Sequence, residues 1–224
     1  IISTLRNFYV FGQTLLDKFA MFTYPKDHFS FEFEGEEYLR EIIAEGKGGI
    51  LLSAHLGNWE VAGRLMKRLD VKVNIVMYDG EYQKLKKLFS SVLDQPIYSI
   101  IPVKEDMSHI YAMNNALSNN ELIVMHADRF VDGNRVLSQD FLGKEALFPE
   151  GPFTVIEKLN VTYSYVFAFK EGDSHYHLFA SKPQKPNGKK SADLCREYSE
   201  AIEEKVRRYP LQWFNYFNFW QKLC

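Results

Sequence analysis

Short apolar segments alternate with helical patterns through the middle of the chain, and this alternation restricts the fold more than any other feature. Segment 50–54 is apolar and follows two glycines, which is the pattern of a buried strand. Further strands are predicted at 71–77, 97–101 and 121–126, separated by helices at 58–69, 81–93 and 106–118. Strands joined in this way form a sheet covered on both faces by helices. We therefore expect an α/β fold with a mostly parallel central sheet flanked by helices.

The composition sets the class of protein. The chain has 224 residues, of which 46% are hydrophobic and 25% charged, a balance that excludes a disordered chain. This length predicts a single domain, 1–224. The formal net charge of −2 argues against nucleic-acid binding. Cys195 and Cys224 form no disulfide framework or metal motif, so a reducing compartment is expected.

The flanking regions contain further predicted elements. Helices are expected at 3–22, 35–44 and 191–208, and strands at 136–142, 161–169 and 175–180. Residues 1–24 form an amphipathic helix with many aromatic side chains. Two interpretations stay open: a helix packed on the core, or a helix lying against a membrane surface.

A histidine and a glutamate follow the first buried strand. Ligands bind at the carboxyl ends of the strands in such sheets, and His55 lies there. Gly57 allows a tight turn, and Asn58 can cap the next helix, whose first turn holds Glu60. A carboxylate that binds one imidazole nitrogen leaves the other as a general base. The alternative is a polar pair without a catalytic role.

Metal binding is not favoured by the spacing. His-x₄-Glu is not the pair of histidines found in zinc peptidases, and no third ligand is evident. The histidines at 109, 126, 175 and 177 are interpreted as surface residues. We therefore predict no metal site.

Two further segments lie where a ligand is expected. Asp128 and Arg129 follow the strand 121–126, and the guanidinium suits a phosphate or carboxylate. Residues Glu150, Gly151 and Pro152 lie where a new helix can begin, so their backbone N–H groups are available to an anion. A surface ion pair and an ordinary turn are the respective alternatives.

The order of these segments resembles the lipid A late acyltransferases of the lysophospholipid acyltransferase superfamily. The resemblance rests on Ser53 to Glu60, on Asp128-Arg129, and on Phe141 to Pro152, and it extends to 45–48 and 209–214. It implies a fold similar to that of glycerol-3-phosphate acyltransferase, with His55 as base and Glu60 as its partner. The predicted substrate-binding residues are Asn58, Asp128, Arg129, Glu150, Gly151 and Pro152.

The resemblance also implies a reaction and a location. Family members use an acyl thioester of acyl carrier protein or of coenzyme A, need no other cofactor, and acylate a lipid acceptor. They act at the cytoplasmic face of the bacterial inner membrane. We expect this chain to be peripheral there, or anchored by a segment outside the present sequence.

The predicted mechanism is direct transfer without an acyl-enzyme, because Gly-x-Ser-x-Gly is absent and neither cysteine lies in a motif. His55 would deprotonate the acceptor, and backbone N–H groups near Gly57 or Gly151 would bind the oxyanion. Arg129 would bind an anionic group of the acceptor.

The acceptor stays open, since Arg129 stands where the family often has Gln. Residues 152–154 also depart from the Thr-Arg-Ser of the glycerolipid branch. The alternatives are another acceptor (a lysophospholipid, an amino-acid lipid or a polyene head group), a thioesterase, or a non-catalytic module that binds lipid or acyl carrier protein.

Overall fold

The computed structural model describes residues 2–23, 28–59, 61, 68–78, 98–131, 133–217 and 219–220. The strands in this part of the chain are β1 (Ser30–Glu34), β2 (Gly49–Ser53), β3 (Val73–Tyr78), β4 (Ser99–Val103), β5 (Leu122–His126), β6 (Val136–Phe141), β7 (Lys144–Pro149), β8 (Tyr163–Lys170) and β9 (His175–Ala180). The helices are α1 (Ile2–Thr23), α2 (Glu36–Ala44), α3 (Ser108–Ser118), α4 (Gly151–Leu159) and α5 (Ser191–Arg208), followed by a 3₁₀ turn, Pro210–Gln212.

The central sheet has seven strands in the order β1-β9-β8-β2-β5-β3-β4. All of its pairings are parallel except β8–β9. A loop of only a few residues joins β8 to β9, and so short a connection permits an antiparallel pair alone. The structure thus confirms a single-domain α/β fold with a mostly parallel sheet flanked by helices.

Most predicted boundaries lie within about two residues of the observed ones. The strand expected at 97–101 occurs at Ser99–Val103, and the helix expected at 191–208 occurs at Ser191–Arg208. The helix predicted at 81–93 lies outside the described residues, and so does most of the helix predicted at 58–69.

Two strands, β1 and β7, were not predicted. In β1 the sequence Ser-Phe-Glu-Phe-Glu alternates between half-buried and exposed residues, which is the period of a strand with one covered face. β7 pairs with β6 in a separate antiparallel hairpin. Its turn residues, Leu142 and Gly143, both have positive φ (54° and 77°), as a tight two-residue hairpin turn requires.

Apolar side chains cover both faces of the central sheet. Ile50 and Leu52 of β2 belong to one buried cluster, whereas Leu51 between them belongs to the other. All five residues of β2 are buried. A strand covered on both faces is continuously apolar, which explains why this segment was predicted correctly.

Helix α1 docks through one side only. The Asp17 carboxylate accepts hydrogen bonds from Lys170 of β8 and Tyr176 of β9. The opposite side leaves large apolar residues exposed, namely Ile2, Leu5, Phe8, Tyr9, Leu15, Leu16 and Phe19. Within the described residues, none of the helices combines the length and apolar character needed to cross a bilayer.

Candidate active site

The carboxyl ends of β2 and β5 bring His55 and Asp128 together. These strands are parallel neighbours, and Ser53 lies opposite His126. His55 and Asp128 each lie two residues beyond those partners, so the same register places them side by side. The His55 Nδ1 is 2.8 Å from Asp128 Oδ1, and the His55 backbone N–H donates to Asp128 Oδ2 at 2.9 Å.

Asp128 holds the His55 ring through a buried carboxylate. Its side chain is 0% exposed, whereas that of His55 is 25% exposed. Burial by itself would raise the pKa of Asp128, but the adjacent His55 ring and the hydrogen bonds from His55 lower it below its ordinary value. An ionised Asp128 keeps the proton on Nδ1, so that Nε2 carries the basic lone pair.

His55 lies in the wall of a cavity of about 840 Å³. Its apolar lining comes mainly from β3, β5 and α3 and includes Ile75, Val76, Met77, Met107, Ile110, Met113 and Met125. Charged residues also line it, namely Lys104, Glu105, Arg129 and Arg135. Unbranched methionine side chains adapt to flexible apolar ligands. The cavity therefore places a basic imidazole beside a predominantly apolar compartment.

The turn after His55 is held in place by contacts of Gly57 with Ala168 of β8 and with Gln212. Gly57 has φ of +74°, and a Cβ there would lie 2.0 Å from the Ala168 carbonyl oxygen, so only glycine fits. The Gly57 N–H donates to the Gln212 carbonyl at 2.8 Å. This N–H is therefore already paired and does not serve as one of the oxyanion donors predicted near Gly57 or Gly151.

The C-terminal segment, residues 212–215, also makes hydrogen bonds with the backbone of both His55 and Asp128. The Phe214 N–H donates to the His55 carbonyl at 2.8 Å, and the Asn215 side-chain amide donates to the Asp128 carbonyl at 3.2 Å. Arg129 donates from Nε to Asn215 Oδ1 and from Nη2 to the Phe214 carbonyl, each at 2.8 Å. These bonds tie the two strand ends to a single segment.

Comparison with known proteins decides the family. The sequence profile described as bacterial lipid A biosynthesis acyltransferase matches residues 4–222. The chain belongs to this family. A search of curated proteins finds no match. One similar solved structure is the 1-acyl-sn-glycerophosphate acyltransferase PlsC from Thermotoga maritima, with 15% identity, a TM-score of 0.45, and coverage of 99% of this chain and 97% of that chain.

As a member of the lipid A biosynthesis acyltransferase family, this chain is an acyltransferase of lipid biosynthesis. Some of its predicted site residues line the cavity and others do not. Arg129, Gly151 and Pro152 line the cavity together with His55. Gly151 is the first residue of α4, so its N–H has no partner within the helix.

Asn58 and Glu150 do not line the cavity. Asn58 is buried, and its amide donates to the Thr14 carbonyl and to the Tyr176 hydroxyl, both at 3.3 Å. Glu150 pairs with Arg135 at 2.7 Å. These contacts stabilise the acyltransferase fold around the site. Glu60 lies outside the described residues, so its pairing with His55 stays a prediction.

Two histidines interpreted as surface residues are not simple surface residues in this acyltransferase, since His177 is buried and His126 is half-buried with both ring nitrogens covered. His177 is 6% exposed and lies 3.0 Å from Glu34 and 3.4 Å from Glu171. His126 lines the cavity, and its ring centroid is 4.9 Å from that of His55. Burial lowers the pKa of His126 to about 3, so the ring is neutral. Both residues belong to strands, where alternate positions face inward regardless of polarity.

Sequence reasoning missed the pairing of Asp128 with His55. Both residues were recognised separately, since each follows a predicted strand. The local sequence does not indicate that β5 is the neighbour of β2 in the sheet. The available signal was that parallel strands end at the same edge of a sheet.

Proposed function

We propose that this chain transfers a fatty acyl group from an acyl thioester to a hydroxyl or amine of a lipid acceptor. His55 is the general base in this proposal. The observation that carries it is the His55–Asp128 pair in the wall of the apolar cavity. A carboxylate-oriented imidazole beside an apolar compartment suits proton abstraction from an acceptor whose acyl donor is a long hydrocarbon.

The proposed reaction needs no covalent enzyme intermediate. His55 Nε2 takes the proton of the acceptor hydroxyl while its oxygen attacks the thioester carbonyl carbon. The tetrahedral intermediate then collapses, the carbon–sulfur bond breaks, and the imidazolium returns the proton to the departing thiolate. Asp128 stabilises the imidazolium in between, because its carboxylate is fully buried next to the ring.

Gly151 is the proposed donor to the oxyanion. Its N–H lies at the beginning of α4, where backbone donors are unsatisfied and the helix dipole favours negative charge. Glu60 remains a proposed second carboxylate of the site, as the His-x₄-Glu pattern suggests.

The proposed substrates follow from the family. The donor is the thioester of acyl carrier protein or coenzyme A, with no other cofactor, and the acceptor resembles a lipid A precursor. Arg129 has two hydrogen bonds to the C-terminal segment. We therefore propose that Arg129 both supports the site and contributes positive charge at the cavity wall.

The proposed location is the cytoplasmic face of the bacterial inner membrane. The exposed apolar side chains of α1 support contact with a lipid surface. Access to a lipid acceptor requires such contact, since the acceptor resides in the bilayer.

The decisive experiment is an assay of His55→Ala. The protein is incubated with isotopically labelled acyl carrier protein thioester and a bacterial lipid extract, and products are identified by mass spectrometry. Wild type should produce an acylated lipid. The rate of transfer by His55→Ala should be lower by a factor of about 10²–10⁴. The control is His175→Ala, a partly exposed histidine on β9.

Each outcome has a distinct meaning. Release of free fatty acid by wild type would indicate a thioesterase, and the absence of any reaction would indicate a binding module. Retention of the full rate by His55→Ala, with circular dichroism showing an intact fold, would contradict the assignment of His55 as base.

A further inference from the structure

His126 has two buried ring nitrogens without a hydrogen-bond partner among the described residues. The Ala54 carbonyl lies near the ring without reaching hydrogen-bond geometry. Buried polar atoms are nearly always paired, and an exception calls for an explanation such as a bound ion. The proposed acyl transfer does not use this ring.

Two other ligand-type side chains surround His126. One ligand atom each from His55, His126 and Asp128 lies within 4.8 Å of the other two. His126 is the last residue of β5, and Asp128 follows it by two residues just beyond the strand end. His55 reaches them from the neighbouring strand. The three groups thus converge on one small volume at the sheet edge.

We propose that His55, His126 and Asp128 form a binding site for a divalent metal ion of the zinc class. Two imidazoles and one carboxylate, with a fourth position left open, are a known ligand set for zinc. Metal–ligand bonds of about 2.0–2.2 Å mean that two ligand atoms on one ion are at most about 4.4 Å apart. The three ligand atoms already lie within 4.8 Å of one another, so small side-chain rotations are enough to complete the site. The cavity gives access to the fourth position.

This site is inhibitory, a consequence that rests on the proposed function. A bound ion occupies a nitrogen of His55 and competes with the His55–Asp128 hydrogen bond. His55 then cannot accept a proton from the acceptor. Zinc therefore regulates the transferase by blocking its base.

The sequence contained no metal motif because the ligands come from two strands. A second group of possible ligands, Glu32, Glu171 and His175, also lies within 4.8 Å of one another. That group is more exposed, and its His175 already has a hydrogen bond with Ser30 at 2.8 Å.

The test measures zinc binding directly. The full chain is freed of metal with a chelator and titrated with ZnCl₂ by equilibrium dialysis. Wild type should bind one equivalent at the site, and His126→Phe should bind at least about tenfold more weakly. The control, His109→Asn, removes a cavity histidine outside the three ligands and should bind like wild type. Co²⁺ should give wild type a visible absorption band typical of four-coordinate cobalt.

Activity is then measured at each zinc occupancy. Acyl transfer by wild type should fall in step with occupancy and return with chelator, whereas His126→Phe should resist the same zinc concentration. Absence of binding, or equal binding by His126→Phe, would overturn the metal site. An increase in transfer with zinc would overturn the inhibition. Zinc binding as expected in a protein that transfers no acyl group would retain the site and refute the proposed function.

Discussion

His55 and Asp128 form the pair on which the proposed chemistry depends. The pair is asymmetric, because Asp128 is fully buried and His55 is partly exposed in the cavity wall. The buried carboxylate also accepts the His55 backbone N–H, so it fixes both the ring and the chain at that point. Asp128 therefore has a positioning role in addition to an electrostatic one.

Asp128→Asn tests that role at the residue scale. The variant keeps the size of the side chain but removes the charge that stabilises the imidazolium and selects the Nδ1–H tautomer. We expect the kcat of acyl transfer to fall by about 10²–10⁴. The control is Asp140→Asn, an exposed carboxylate on β6. If a folded Asp128→Asn protein had an unchanged kcat, Asp128 would not be the carboxylate that orients His55. Glu60 would then be the candidate for that role.

At the scale of elements, α4 and α5 are joined by a charged cap. The Glu157 carboxylate of α4 accepts hydrogen bonds from the Ser191 N–H at 2.9 Å, the Ser191 hydroxyl at 2.7 Å and the Lys190 ammonium at 3.2 Å. Ser191 is the first residue of α5, whose backbone donors are otherwise unsatisfied. This contact stabilises the beginning of α5 and its packing on α4.

Glu157→Gln tests the cap through pH dependence. The hydroxyl of Ser191, its N–H and Lys190 lower the pKa of Glu157 from 4.5 to about 2. Because the folded-state pKa is the lower one, the stabilisation is present above pH 4.5 and is lost as the pH falls towards 2. We expect Glu157→Gln to have a lower urea midpoint at pH 7 and a shallower loss of stability below pH 4.5.

The matched control for the cap is Glu200→Gln, on the exposed side of α5. Its carboxylate lies 3.9 Å from Arg196 and is 66% exposed. We expect this variant to keep the wild-type midpoint at pH 7. Equal midpoints for Glu157→Gln and wild type would mean that the cap adds nothing to stability.

At the scale of the whole molecule, α1, the C-terminal segment and the site form one continuous assembly. The Asn7 side chain of α1 donates to the Leu211 carbonyl at 3.0 Å, and the residues that follow bind Gly57, His55 and Asp128. Asn58 also donates to the Thr14 carbonyl of α1. The helix proposed to touch the membrane is thereby connected directly to the turn that holds His55.

Membrane contact through α1 can be tested with vesicles. At 100° per residue, the exposed apolar positions of α1 lie on the side opposite Asn7 and Thr14. We expect Leu16→Glu, at a position 69% exposed, to weaken co-sedimentation with phosphatidylethanolamine–phosphatidylglycerol vesicles severalfold. Tyr111→Glu on α3, at a position 80% exposed, is the control and should sediment like wild type. Equal binding by Leu16→Glu and wild type would exclude this side of α1 as the contact.

The sequence by itself determined most of the described element types, with β1 and β7 as exceptions, and the sheet edge at which the candidate site residues lie. Mostly apolar strands such as β2 and β5 are evident locally, because a strand covered on both faces consists predominantly of apolar residues. His55 and Asp128 follow those strands directly, so each could be placed at a carboxyl end. The amphipathic pattern of α1 likewise predicted a helix with one apolar side.

Only the tertiary structure decided which strand ends are neighbours. His55 and Asp128 are 73 residues apart, and they meet because β5 lies between β2 and β3 in the sheet. The order of parallel strands follows from the burial of the whole sheet, to which every strand and helix contributes. The hydrophobic periodicity of a single segment contains no information about that order. For the same reason, the sequence could not predict the hydrogen bond from the Gly57 N–H to the Gln212 carbonyl. Nor could it predict that the His126 ring nitrogens have no hydrogen-bond partner among the residues that the structure describes.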